Sequence, residues 1–245
     1  MRNFLKLTFF LTIIFISTSA FGEKLPNSIS KKDLHEIIKK YLIENPEIVE
    51  KALMSLKEKR EKEKDRITSQ KIKDMSKDIF LDSSSPVSGN PNGKIVIAEY
   101  FDYRCGYCRA SFNVLKNILK ENKEVKIVHK ELPILGKLSM LASKAALASH
   151  LQGKYQSFHE KLMEKNFKGI DQIFSLAKES GLDITQLKKD MYSKKIEKTI
   201  LKTRKLAIHI GVRSTPTYII GNKIYPGALN SEQLKIIFSK INQNK

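Results

Sequence analysis

The chain holds two cysteines, set three apart in Cys105-Gly106-Tyr107-Cys108. Thiols at this spacing can make and break a disulfide with each other, so the chemistry on offer is thiol-disulfide exchange. The pair follows an apolar run and opens a helical pattern, which sets the first sulfur beside backbone amides that have no helical partner. Positive potential at a helix start favours a thiolate and can bring a cysteine pKa into a range of about 3.5 to 7.5. Arg104 and Arg109 add positive charge, and Asp102 works against them. On this reading Cys105 faces solvent and attacks, while Cys108, one turn further in, resolves the mixed disulfide.

Other uses of two cysteines fit less well. A structural bridge across so short a loop removes little entropy from the unfolded chain. A structural zinc site wants four N or S ligands, and His35, His129, His150, His159 and His209 share no ligand spacing with the pair. Haem attachment needs a histidine after the second cysteine, where Arg109 stands. No metal site and no cofactor are therefore read. The alternative that stays open is a dithiol that holds Cu(I) for copper handling, since two thiolates make a soft site. The stretch from Asp102 to Phe112 offers no Met or His to support it.

The elements that must position the pair can be read on either side of it. Ile95-Val96-Ile97-Ala98-Glu99-Tyr100-Phe101 is a nearly continuous apolar, β-prone run, as a buried central strand should be. Val125-Lys126-Ile127-Val128-His129-Lys130-Glu131-Leu132 is a second strand, and strand, helix, strand implies a parallel pair with a right-handed crossover. Residues 137–210 read as a helical insertion, broken near Gly153, Gly169 and Gly181-Leu182-Asp183. Thr217-Tyr218-Ile219-Ile220, Gly221-Asn222 and Lys223-Ile224-Tyr225 read as a tight hairpin, and Ser231 opens a last helix.

Upstream, Ser30 caps an amphipathic helix carrying Leu34, Ile37, Ile38, Tyr41 and Leu42, and Asn45-Pro46-Glu47 restarts the chain as a second helix with Asn45 as its N-cap. That helix carries Ile48, Val49, Ala52, Leu53 and Leu56, then a charged run in which Glu58 and Lys62 stand at pairing distance. Ile67, Ile72, Met75 and Ile79 resume the apolar spacing. An apolar stripe with no sheet to cover it suggests a stalk that packs against copies of itself. The competing reading is a helical hairpin folded onto its own domain. Ser83-Ser84-Ser85-Pro86 and Ser88-Gly89-Asn90-Pro91-Asn92-Gly93 are dense in turn residues and mark the boundary.

A formal charge of +19, of which Arg2 and Lys6 contribute two, raises the question of polyanionic partners. The lysines are spread through the chain beside Glu and Asp, and no nucleic-acid-binding signature accompanies them, so no nucleic-acid partner is read. Residues 1–22 hold two basic residues, an apolar run from Leu7 to Ile16, and small residues ending at Ala20 or Gly22, the pattern of a secretory signal. The expectation is export to an oxidising space, where a thiol pair can cycle.

The stretch Glu99-Tyr100-Phe101-Asp102-Tyr103-Arg104-Cys105-Gly106-Tyr107-Cys108 resembles the active-site strand and helix start of the DsbA family of thioredoxin-like proteins. Glu131-Leu132-Pro133-Ile134-Leu135-Gly136 and Val212-Arg213-Ser214-Thr215-Pro216-Thr217-Tyr218 resemble its later landmarks, and Tyr41-Leu42-Ile43-Glu44-Asn45-Pro46-Glu47 resembles the N-terminal segment of the ScsC-like branch. The resemblance implies an α/β thioredoxin fold with a helical insertion, in a domain over residues 83–245 that follows an N-terminal helical oligomerisation segment over 23–82. It implies Cys105 as nucleophile, Cys108 as resolving thiol, Gly106 and Tyr107 as the tuning dipeptide, Glu99 as a buried acid, and Thr215-Pro216 as the cis-proline loop. Many relatives have proline where Gly106 stands, so their oxidising strength does not carry over. The implied activity is periplasmic disulfide formation or isomerisation on unfolded or misfolded secreted proteins. It also implies a membrane redox partner of the DsbB-like or DsbD-like kind, and self-association through residues 30–80.

Overall fold

The computed structural model describes residues 29–243; the signal segment read at 1–22 lies outside them. The chain divides between Lys57 and Glu58 into two compact units.

In the first unit, α1 (Lys31–Glu44) starts where Ser30 Oγ accepts the Asp33 N–H at 3.2 Å. It ends at Asn45, whose side-chain amide donates back to the Tyr41 carbonyl at 2.8 Å. Asn45 is thus the C-cap of the first helix, its backbone N–H and side-chain amide both donating to the Tyr41 carbonyl, while its own carbonyl accepts the Ile48 N–H at the start of the second. α2 (Pro46–Asp74) begins on proline, whose missing N–H costs nothing at a first helical position. None of α1 is buried, and Leu34, Ile37, Ile38, Tyr41 and Leu42 stand exposed along it.

The second unit is built on a five-stranded sheet in the order β1 (Val87–Gly89), β3 (Val125–Glu131), β2 (Ile95–Phe101), β4 (Thr217–Ile220), β5 (Lys223–Pro226). β2 and β3 are parallel and the other three pairs are antiparallel. The strand β1 forms where turn residues predict a loop. Gly89 at φ 81° lets the chain leave β3 there, and a Cβ would come within 2.6 Å of the Val125 carbonyl oxygen. The β4–β5 hairpin turns on Gly221-Asn222 as its sequence predicts.

Alternation along β2 divides the core between the two sheet faces. Ile95 and Ile97 pack with Leu115 and Ile118 of α4 (Gly106–Glu121) and with Leu234, Ile237 and Phe238 of α10 (Ser231–Gln243). Ala98 and Tyr100 face the other way, onto Leu206, Ala207 and Ile210 of α9 (Lys194–Ile210) and onto Ile72 and Ile79. Ile79 belongs to the short α3 (Ser76–Phe80), so the end of α2 and all of α3 pack into the second unit instead of standing off as a stalk. Burying an isoleucine there contributes roughly 1.5 to 3 kcal/mol, which a solvent-facing position would forgo. α5 (Lys137–Leu151), α6 (Tyr155–Glu164), α7 (Ile170–Glu179) and α8 (Ile184–Met191) gather Phe158, Leu162, Ile173 and Leu187 into a further cluster that reaches Phe101, Cys105 and Cys108.

Candidate active site

The turn between β2 and α4 is organised by Asp102. Its buried carboxylate accepts the Arg104 N–H at 2.8 Å on one oxygen, and those of Ile134 and Leu135 at 2.9 and 3.0 Å on the other. Its carbonyl accepts the Cys105 N–H at 3.0 Å. α4 then leaves Cys105 as its N-cap, and apolar residues recurring at three and four turn Cys108, Phe112, Leu115 and Ile118 inward.

Cys105 is more covered than expected, with 7% of its surface exposed against 0% for Cys108. The cover is the Val212–Pro216 loop: the Cys105 thiol donates to the Thr215 carbonyl at 3.2 Å, and the Thr215–Pro216 peptide bond is cis. Burial above all pushes the Cys108 thiol up, and the Cys105 sulfur and the Glu99 charge push it further, against a bond from the Asp102 backbone. Gly106 and Tyr107 form the exposed first turn, with Tyr107 72% exposed and open space where a Gly106 Cβ would stand.

Glu99 is buried on the sheet face that α4 covers, since it follows Ile97 at period two. His129 lies opposite it on β3 and Tyr218 opposite it on β4. One Glu99 oxygen stands 3.3 Å from His129 Nδ1 without hydrogen-bond alignment, and the other has no hydrogen-bond partner among the described residues. His129 Nε2 is 2.6 Å from Ser88 Oγ.

Beside this row lies a polar cluster that sequence reasoning missed. Glu131 accepts the Tyr103 and Tyr155 hydroxyls at 2.9 and 3.0 Å on one oxygen and Ser143 Oγ at 2.7 Å on the other. Tyr103 also meets His159 Nδ1 at 2.9 Å, and the His159 and His129 rings lie 4.5 Å apart. The available signal was the run His129-Lys130-Glu131 ending a strand that is buried throughout its second half, together with Tyr155 and His159 one helical turn apart. Burial pushes the Glu131 carboxyl up to about 8, and burial with the neighbouring His129 holds His159 well below its ordinary value.

The sign of the Glu131 effect follows from proton binding. Between its ordinary 4.5 and about 8 the unfolded carboxyl has lost its proton while the folded one keeps it, so this group makes stability fall as pH rises. His159, neutral in the fold, acts oppositely as pH drops below the ordinary 6.5. Glu131→Gln is therefore expected to melt close to the parent at about pH 5, and several degrees above it at about pH 8, by thermal unfolding at the two values. An unchanged difference between the two pH values would show that Glu131 is ionised in the fold.

Residues 96–238, which take in β2 from its second residue, β3, β4 and β5, the cysteine pair and the Thr215–Pro216 loop but not β1, match the DSBA-like thioredoxin domain. The chain belongs to this family. It is a thiol-disulfide oxidoreductase of the DsbA/ScsC type. Residues 31–63 match a second family, the copper resistance protein ScsC N-terminal domain. The chain is similar to a thioredoxin-like oxidoreductase from Silicibacter pomeroyi, at 34% identity and TM-score 0.66 over 68% of this chain and 97% of that one. It is likewise similar to the catalytic domain of Proteus mirabilis ScsC, at 27% and 0.65 over 70% and 97%. A curated relative, the probable disulfide bond formation protein D of Bacillus cereus, is 26% identical over 169 residues, 63% of this chain and 78% of the relative.

Proposed function

We propose that the DsbA-like domain exchanges disulfides with exported proteins through Cys105 and Cys108. The observation that carries this reading is the unequal cover of the two sulfurs: Cys105 lies at the rim against the Thr215 carbonyl and Cys108 is sealed beneath it. In the oxidised enzyme a substrate thiolate attacks Cys105 Sγ, the Cys105–Cys108 bond breaks, and Cys108 leaves with the electron pair and takes up a proton. A second substrate thiolate then attacks the substrate sulfur of the mixed disulfide and releases Cys105. Glu99, whose charge acts on the Cys108 thiol, is the buried acid we assign to that proton's path, with His129 3.3 Å from it. Gly106 and Tyr107 set the geometry of the pair, and Thr215 and Pro216 form the wall against which a substrate strand lies.

The secretory pattern at residues 1–22 supports a periplasmic site of action, with a DsbB-like or DsbD-like membrane protein to reset the pair. No helix among the described residues is long and apolar enough to cross a membrane. The exposed stripe of the first unit and its ScsC-type match support self-association and with it isomerisation, since several dithiols around one substrate can reshuffle its bonds. The stalk then ends near residue 57 rather than 82, because Ile72 and Ile79 belong to the second unit.

The test is mass in solution and activity of residues 23–245 beside the variant Ile37→Glu/Ile38→Glu. The parent is expected to be an oligomer that reactivates scrambled substrate, and the variant a monomer that oxidises reduced substrate and reshuffles at least about tenfold less. Two monomers with equal reshuffling would leave an oxidase and end the stalk reading.

A further inference from the structure

A groove of about 690 Å³ in the second unit runs from the loop that covers Cys105 to the edge of the sheet. One wall is the second half of α2, held to the sheet by Asn222 Nδ2 donating to Ser69 Oγ at 2.9 Å. The other wall is β5, the last strand, whose outer edge has no strand partner among the described residues. Between the walls come Arg213 and Ser214, directly before the Thr215 carbonyl that meets the Cys105 thiol. A segment lying in this groove reaches the residues that lead into the Thr215 carbonyl.

Its charge is one-sided. Lys64, Arg213 and Lys223 line it, all exposed and none with a carboxylate at ion-pair distance among the described residues. Lys62 and Arg66 line it too, but Glu58 and Glu63 occupy them at 2.7 and 2.8 Å. Asp65 is the acidic residue of the lining. Apolar footing comes from Val212, Ile224 and Pro226. Such a groove suits an extended chain whose carboxylates meet the lysines and whose backbone follows a sheet edge. A bilayer surface is flat and would not enter between two walls.

We infer that this groove selects substrates by charge, taking acidic polypeptide segments that flank the target cysteines. The inference rests on the exchange activity proposed above and names the substrate class for that same site. Opposite charge at a groove leading to a reactive group raises the encounter rate and makes it salt-dependent.

The experiment follows oxidation of dithiol peptides by the oxidised full-length protein, with glutamates, glutamines or lysines flanking the cysteines, and dithiothreitol as an uncharged small dithiol. The glutamate peptide is expected to react about tenfold faster than the glutamine peptide at low salt, and the advantage to vanish at high salt. In Lys64→Glu/Lys223→Glu that preference is expected to be lost or reversed in favour of the lysine peptide, with the dithiothreitol rate unchanged. Equal rates for the three peptides in the parent would overturn the groove and leave the exchange reading intact. Failure with dithiothreitol as well would overturn the exchange reading itself. Loss of binding to anionic lipid vesicles in the variant, with its peptide rates unchanged, would assign the groove to a membrane surface and end the peptide proposal.

Discussion

Replacing Cys105 by serine is expected to reduce disulfide exchange by roughly a thousandfold or more, to the uncatalysed background, because a hydroxyl supplies neither the attacking sulfur nor the bond that a substrate opens. Cys108→Ser is expected to fail differently. Its Cys105 thiolate can still attack a disulfide of an oxidised or scrambled substrate, breaking that bond and releasing one substrate thiolate. With Cys108 gone no internal thiol displaces the substrate from Cys105, so this mixed disulfide persists, visible as an adduct of enzyme plus substrate in intact mass. The asymmetry follows from cover: Cys108 is wholly buried and its thiol is pushed up, so it holds its proton and cannot substitute as the point of attack. Adducts formed equally through Cys108 in the Cys105→Ser protein would overturn the order of roles.

The second large effect falls on Asp102→Ala. The buried carboxylate ties the Arg104 N–H on one side of the active-site turn to those of Ile134 and Leu135, which follow β3. Alanine leaves three amides without an acceptor. At about 1 to 3 kcal/mol for each unsatisfied group, less what water recovers at the loop, the loss should total about 3 to 5 kcal/mol. At about 2 to 4 °C per kcal/mol in a chain of this size, melting should fall by roughly 10 °C. Asp102→Asn keeps an acceptor oxygen on one side and should fall between. Hydrogen exchange at residues 134–135 gives an independent check, since these amides should lose protection in Asp102→Ala. A melting change under about 3 °C with protection retained would mean that the carboxylate is dispensable to the turn.

Asp102 also shows where sequence reasoning stops. Read along the chain, it is a negative charge two residues from the arginine that precedes Cys105, and it counts only against a thiolate. Its structural work depends on amides more than thirty positions away, which no local pattern signals. The same holds for Glu131, whose partners Tyr103, Tyr155 and Ser143 come from the active-site turn, α6 and α5. Ile72 and Ile79 carry a helical apolar spacing that suits a self-packing stalk and a helix docked on a sheet equally well; only the sheet face beneath them decides.

By itself the sequence determined the features that short-range physics governs. These are the strand before the cysteines, the helix that starts at them, the helix break at Asn45-Pro46, the hairpin at Gly221-Asn222 and the chemistry open to two thiols three apart. Each rests on side-chain periodicity, φ preference or sulfur chemistry within a few residues. Tertiary structure alone decided which sulfur is sealed, which carbonyl meets the other, where Glu99 finds His129 and Tyr218, and which lysines share a groove. Those outcomes depend on strand order and on chain segments brought together from opposite ends of the domain, and a change of neighbour across the sheet would alter them without changing a residue in the local pattern.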